Sequence, residues 1–433
     1  MPSMLRAPVA ACLLALFAAT AARATVASKN DTPLGWASQN GGTTGGAGGT
    51  EVTVTTMADL QKYAKMAGKY IIWVSGTMGS YGTRGSANED QVVLASNKTI
   101  LGLPGATVKG GFNITGVSNV ILRNITVIGP GAIDVNGNDD IHLQADAKNI
   151  WVDHMSVIDG EDGNMDITHA CDFVTVSWTK FSYTSNSIAS GHPGVGGSHR
   201  FCNLIGHDDG NAAEDNGHLK VTFYKTWWAD GVAERMPRVR FGQVHVANNL
   251  FTSQDPGQDH CVRAGIGADI LVESNAFISQ KKPIDLYQGN YKAVTARNNL
   301  FSNCSGNMVG SGTSFTPPYS LPLAATSGLQ AEISSASSGA GPTLTWGTTS
   351  IAPEPGHEVS YAPRVERQGS REILTNPDQN PVTATVWSAT GRRLSSEMVL
   401  QPGESVDLPV VAGMRILKLV TAQGEESRVL SLK

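Results

Sequence analysis

After residue 24 the chain has no apolar run near the roughly 20 residues that a membrane-spanning helix needs, so no later segment is a candidate for a spanning helix. Charge is also scarce. Only 16% of residues are charged, against 48 glycines in 433 positions, which disfavours a charged helical bundle and favours a turn-rich β architecture. No basic excess exists either: 32 Lys and Arg face 37 Asp and Glu, which argues against a nucleic-acid partner. Cysteine is limited to five, and no pair has the tight spacing of a zinc site. The glycine-rich stretch GGTTGGAGG lacks a following Gly-Lys-Ser/Thr, so it is not a phosphate loop and its glycines read as backbone freedom.

The first 24 residues have the pattern of a secretory signal peptide: Arg6, an apolar run from Val9 to Ala19, and Ala22-Arg23-Ala24 as a small-x-small cleavage signal. Its removal takes Arg6 and Arg23 and no acid, so 30 basic side chains face 37 acidic ones, a net charge of −7. Cys12 leaves with it. The remaining Cys171, Cys202, Cys261 and Cys304 would meet an oxidising compartment, where pairing of sequence neighbours competes with buried free thiols.

From about residue 95 to 302 one short phrase recurs: alternating β-branched residues, a polar or asparagine step, then an apolar closing position. VILRNITVI, IWVDHMSVI, VHVANNLF, ILVESNAF and VTARNNLF are examples. The closing positions Val127, Val157, Phe181, Trp228, Phe251, Phe277 and Phe301 are 30, 24, 47, 23, 26 and 24 residues apart, the 47 reading as two coils with an insertion. Such a period predicts a solenoid, specifically an all-β right-handed parallel β-helix, in which each coil buries its apolar row against its neighbours. Asn275 and Asn299 fall at equivalent points, suited to amide stacking between coils and to a sharp bend with φ > 0. A β-sandwich is the alternative, but two-residue hairpin signals are few. The spacing also predicts a helix over 57–66, capped by Thr55 or Thr56, that covers an open end of the solenoid. The domain boundaries follow: signal 1–24, β-helix 25–343, Ser/Gly/Pro-rich linker 344–365, and a small β-sandwich over 366–433 built of short alternating strands.

Four acids stand out: Asp140 in GNDDIHL, Asp153 in WVDH, and Asp162 and Asp166 in DGNMD. Residues one coil apart become stacked neighbours, which would bring Asp140 to Asp162 and Asp166. Three clustered carboxylates repel unless a cation neutralises them. Hard oxygen donors with no thiolate or imidazole set favour calcium over magnesium. Solvated turn acids are the alternative, and the spacing departs from the helix-loop-helix calcium motif. Asp153 reads as a structural acid with its partner in an adjacent coil. In ERMPRVRFGQVHVANN, Arg235, Arg238 and Arg240 lie within six positions, and Arg238 and Arg240 share a face if a strand begins at about Arg238. Next to a bound cation, such a cluster suits a polymer of carboxylates; surface arginines with packed stems are the alternative.

Over about residues 34 to 340 the sequence resembles the pectate lyase family, the secreted β-helix enzymes of polysaccharide lyase family one. GWASQNGGTTGGAGG, VSGTM, IWVDH, DGNMDITHACDFVTVSW, NLIGHDD, HLKVTFYKTWW, ERMPRVRFGQVHVANNLF and TPPYS carry the resemblance, in the family's order. It implies a calcium-dependent enzyme cleaving α-1,4-linked polygalacturonate by β-elimination to 4,5-unsaturated products. It also implies that Asp140, Asp162 and Asp166 hold Ca2+, that Arg235 is the base, that Arg240 binds the substrate carboxylate, and that Arg238 supports substrate binding. One departure stands against it. Where the family has a substrate-binding lysine, this chain places Phe201, so that Arg200 or His199 would have to supply the contact. The insertion TSNSIASGHPGVGG just upstream would reshape the cleft.

Two other enzymes of the same polymer are alternatives. A polygalacturonase would need one protonated carboxyl and a second activating water, with no base arginine; a pectin lyase would lack the calcium acids. A non-catalytic carbohydrate-binding solenoid leaves the three acids and Arg235 unexplained. The tail, with VWSATGRRL, GESVDLPVVAGMRILKLVT and SRVLSLK, resembles C-terminal sorting domains of some bacterial secreted proteins, which implies contact with a secretion machinery. A secreted monomer is expected.

Overall fold

The computed structural model describes residues 26–80, 91–132, 138–184 and 199–347, and in the C-terminal part 358–359, 364–368, 371–376, 381–388, 390, 392–401, 403–409, 414–421 and 424–431. The signal-like segment, residues 185–197 of the insertion and most of the linker lie outside the described residues.

Each coil contributes one short strand to each of three parallel sheets. The first sheet runs in chain order from Thr50–Val54 to Ala293–Arg297, the second from Thr77–Met78 to Leu300–Ser302, and the third from Gln91–Val93 to Ile284–Leu286. Parallel strands need a crossover. Here the crossover is the rest of the coil, which supplies the other two sheets. The right-handed parallel β-helix is thus the observed architecture of the main unit. Its core is one continuous column of buried Val, Ile, Leu, Met and Phe.

The closing apolar positions lie in register. Val127 pairs with Val157, Val157 with Phe181, Phe181 with Trp228, Trp228 with Phe251, Phe251 with Phe277 and Phe277 with Phe301. From Trp228 onward their rings stack at centroid distances of 4.5, 4.1 and 5.2 Å. The interval of 47 residues is therefore a single enlarged coil rather than two, because Phe181 pairs directly with Trp228. Beside this file runs the asparagine ladder, which Asn249 joins: Asn249 Nδ2 donates to Asn275 Oδ1 at 3.0 Å and Asn275 Nδ2 to Asn299 Oδ1 at 2.9 Å. The bend itself falls one residue earlier than expected, at Asn248, Ser274 and Asn298, with φ of 55°, 55° and 56°. The ladder asparagines are fixed by both amide ends, so the preceding residue takes the left-handed turn.

The helix Met57–Lys65 forms as the sequence predicts, with the Thr56 side chain accepting from the Asp59 amide. It buries Leu60 and Ala64 against Val52, Val54, Ile72 and Val74, so apolar surface at the start of the stack is covered. Gly45 and Gly46 press on the first sheet, where a Cβ would strike Thr99 and Tyr70. All four cysteines are free, contrary to the expectation of neighbour pairing. Cys171, Cys202 and Cys261 are core residues of the column, and burial raises each thiol above its ordinary range.

The C-terminal residues form two antiparallel sheets. One contains Arg364–Gln368, Arg371–Thr375 and Ser405–Asp407; the other contains Val382–Ser388, Met398–Leu400, Met414–Thr421 and Gly424–Ser431. They enclose Leu374, Val382, Ala384, Val386, Leu400, Leu408, Leu417 and Leu419. Arg415, 1% exposed, reaches Glu372 of the other sheet at 2.7 Å.

Asp153 shows how the stack pairs its buried charges. It stands in register between Arg123 and Ser177 and accepts from Arg123 Nε at 2.9 Å and Ser177 Oγ at 2.6 Å. Burial would raise its carboxyl, but the charges of His154 and Arg123 and the hydrogen bonds of His154 and Ser177 outweigh this and hold it down at about 2. A depressed folded-state value stabilises the fold above the ordinary carboxylate range, and that contribution is lost as the pH falls from about 4 to about 2. Asp153→Ala is expected to cost about 3 kcal/mol, the low end for a broken buried pair because Arg123 keeps Asp31. Urea unfolding at pH 7 checks it, and the gap from wild type should narrow in acid.

Candidate active site

The third sheet carries the charged face. Its strands Asp139–Gln144, Gly163–Ile167, Leu204–Ile205, Arg238–Val239, Val262–Ala264 and Ile284–Leu286 follow one another along the axis. Ile141, Met165, Ile167, Ile205 and Val239 point inward. Strand alternation then turns the intervening residues outward. His142 stands beside Asp166, Leu204 beside Arg238, Arg238 beside Arg263, and Arg263 beside Asp285. With about 4.8 Å between strands, Arg238 sits two coils from Asp166 and three from Asp139.

The acids gather differently from the sequence-based expectation. Asp139, not Asp140, joins Asp162 and Asp166. Gly163 lies in the middle: a Cβ there would be 2.7 Å from Asp139 Oδ1 and 3.4 Å from Asp166 Oδ1. Burial raises the Asp139 carboxyl, His142 opposes this, and the charge of Asp162 raises it further. Asp166 is pushed well above the carboxylate range by burial and then by Asp139. Asp140 is 3% exposed but turned away, against Gly129 and among Asp139, Asp159 and Glu161. The reason is local. Asp139 and Asp140 begin the strand at the bend between sheets, where strict alternation does not hold.

Asp139 Oδ1 is buried without a hydrogen-bond partner. With the space left by Gly163 and the hard oxygen donors of Asp162 and Asp166, it meets the requirements of a calcium-type cation. Neighbouring cations balance part of the charge. His199 Nε2 lies 2.9 Å from Asp162 Oδ1, and this hydrogen bond lowers the Asp162 carboxyl. Burial pulls the His142 imidazolium down, but its bonds to Asp139 and Gln144 and the charges of Asp139 and Asp166 prevail and hold it at about 9. His142 had no role in the sequence-based reading, and His199, read there with Arg200 as a stand-in for the substrate-binding lysine, bonds Asp162 here. The register of His142 beside Asp166 is the signal that would have found the first.

Arg235 precedes the strand Arg238–Val239 with φ of 61°. Its carbonyl accepts from the Asn203 amide at 2.7 Å, its amide donates to His260 Nε2 at 3.4 Å, and its positive charge is felt by Asp139, Asp162 and Asp166. Among the described residues neither Arg235 nor Arg238 has an ion pair, and the buried Nε of each has no partner. Burial lowers the Arg238 guanidinium, and Arg240, Arg235 and Arg263 lower it further. Arg240 is 8% exposed and partly committed: Nε pairs with Asp209 at 2.6 Å and Nη1 donates to the Gly206 and His207 carbonyls.

Arg200 is not placed to meet a substrate. It is 5% exposed and grips Asp255 with two bonds of 2.7 and 2.9 Å. Phe201 instead faces Arg235, whose Cζ lies 4.0 Å from the ring centroid. Glu234, Asp259 and His260 form a second group with metal-ligand potential. That group already has its cations: Arg263 pairs with Asp259 at 2.9 Å and Asp285 at 2.5 Å, and Lys282 pairs with Asp259 at 2.8 Å. Burial and Arg263 drive His260 down to about 4, so its neutral ring accepts from the Arg235 amide.

A parallel β-helix with clustered buried acids facing open guanidiniums is a surface suited to an acidic polymer, and the relatives define the class, an enzyme of the polysaccharide lyase type. Comparison with known proteins defines the family. The family model described as pectate lyase matches residues 2–341. Pectate lyase plyB of Emericella nidulans is 38% identical over 307 residues, covering 69% of this chain and 84% of that protein. Pectate lyase E of Dickeya chrysanthemi is 32% identical over 354 residues, covering 72% and 86%. Among solved structures, the pectate lyase Bsp165PelA from Bacillus sp. N165 in complex with trigalacturonate superposes with a TM-score of 0.56 at 25% identity, covering 69% of this chain and 96% of that one. The chain belongs to the pectate lyase family. Among the described residues no helix is long and apolar enough to cross a membrane.

Arg200→Ala is expected to act on stability rather than on substrate affinity. It leaves Asp255 buried and unpaired, at a cost of roughly 3–5 kcal/mol. Urea unfolding should show that loss while KM for polygalacturonate stays within a factor of two.

Proposed function

We propose that this protein is an exported, calcium-dependent pectate lyase that cleaves α-1,4-linked galacturonan by β-elimination and releases 4,5-unsaturated oligogalacturonides. The observation that carries the reading is the meeting of Asp139, Asp162 and Asp166 around the Gly163 gap within reach of the charge of Arg235. The pectate lyase relatives support the substrate class, and the signal-like residues 1–24 support export. The antiparallel C-terminal unit would serve as a sorting domain read by a secretion machinery.

Asp139, Asp162 and Asp166 would hold the calcium ion. When bound, it would supply Lewis acidity that neutralises the uronate carboxylate and the charge growing there. Arg238 and the free edge of Arg240 would receive and orient that carboxylate. The unpaired Arg235 guanidinium, once it has given up a proton, would take the proton from C5. The C5–H electrons form the C4–C5 double bond, the C4–O4 bond breaks, and O4 takes a proton from water. An arginine acting as base works against its ordinary permanent protonation. Arg235 shares its surroundings with Arg238, which is itself close to Arg240 and Arg263.

Purified protein incubated with polygalacturonate and calcium is expected to give rising ultraviolet absorbance from unsaturated ends, abolished by a chelator. New reducing ends without that absorbance would mean a hydrolase. Asp139→Asn should weaken calcium binding, measured by calorimetry, at least ten-fold, a loss of about 1.4 kcal/mol. Asp140→Asn should change it little, and equal losses in both variants would return Asp140 to the ligand set.

A further inference from the structure

We propose that Phe201 is a positioning residue for Arg235, its ring face holding the guanidinium in the orientation the elimination uses; this rests on the reading of Arg235 as the base. The Arg235 backbone is pinned from two sides, by the Asn203 amide and by His260. Its side chain is not. Nε is buried without a hydrogen-bond partner, and among the described residues no carboxylate pairs with the guanidinium. The contact that remains is the Phe201 ring, 4.0 Å from Cζ, inside the range over which an aromatic face attracts a cation.

The ring is itself held. Phe201 forms a parallel bridge with Glu234, the residue before Arg235. Its carbonyl accepts from Tyr183 Oη at 2.5 Å and from the Asn164 amide at 3.2 Å. The His199 ring meets it edge-on, at 4.3 Å and 85°, while bonding Asp162. Phe201 therefore links the acid group to the base. A carboxylate in its place would tie up the guanidinium N–H groups, and a second cation would repel them. The ring confines the group without consuming a donor, so the N–H edge stays open to substrate. A leucine fills similar space but offers neither a flat face nor a quadrupole, and the guanidinium would then have to regain its orientation in every turnover.

The test uses the full chain with polygalacturonate and calcium. Phe201→Leu is expected to lower kcat about ten-fold with KM within a factor of two, and Phe201→Tyr to restore most of the loss. Phe201→Met serves the same comparison should the leucine variant fail to fold. Unchanged kcat in the leucine variant, a loss carried by KM, or a tyrosine variant equally impaired would overturn the proposal. A second readout needs no activity. In protein labelled with 15N-arginine, the Arg235 Nε–H resonance, assigned by its disappearance in Arg235→Lys, should shift downfield in Phe201→Leu as ring shielding is lost. An unmoved resonance would overturn the contact itself. Wild-type protein that produces no unsaturated ends would defeat the lyase reading instead, and the two failures are told apart by the spectrum.

Discussion

Everything in the main unit depends on parallel, in-register hydrogen bonding from one coil to the next. That bonding fixes the strand spacing at about 4.8 Å, so each side chain has a neighbour above and below that it cannot avoid. A file must therefore share one chemistry or pair opposite ones. The inward file from Trp228 to Phe301 is aromatic throughout, and the Asn249–Asn275–Asn299 file passes one amide bond from coil to coil. Arg123, Asp153 and Ser177 use the second solution and pair by complementary chemistry.

The same constraint organises the charged sheet. Acids lie in earlier coils, at Asp139, Asp162 and Asp166, and guanidiniums in later ones, at Arg235, Arg238, Arg240 and Arg263. Where like charges face each other, the protein either supplies counter-ions or leaves the charge open. Arg263 is fully served by Asp259 and Asp285, whereas Arg238 beside it is not. The open charges are concentrated at the candidate active site. Glu234, Asp259 and His260, though arranged like ligands, are balanced by Arg263 and Lys282 and serve to pin the Arg235 backbone.

Much of this was legible from sequence because a period of a coil leaves a mark on the chain. The closing positions, the asparagine ladder, the helix over 57–65 and the partner of Asp153 in a neighbouring coil all follow from spacing and alternation. What was not legible depends on the bends. Asp139 and Asp140 differ by one residue at a corner, where the parity that tells inward from outward does not apply. Arg200 could not be separated from a substrate ligand because its partner Asp255 lies 55 residues on, in a loop whose path no local pattern gives. An oxidising compartment suggests pairing of neighbouring cysteines, yet three of them are buried core residues of the column. The interval from Phe181 to Trp228 misled for the opposite reason: length suggested an additional coil, while the direct strand pairing shows one coil enlarged at its periphery.

That enlarged coil separates two quantities that are tied together in most folds, chain length and core geometry. The stacking frame is set by a few residues per turn. A coil of nearly double length leaves the Phe181–Trp228 contact in place and divides its surplus between two connections, residues 183–203 and residues 206–220. In an evolutionary or engineering sense, the connections between strands are permissive addresses: their length can be rewritten while the column beneath bears the load unchanged.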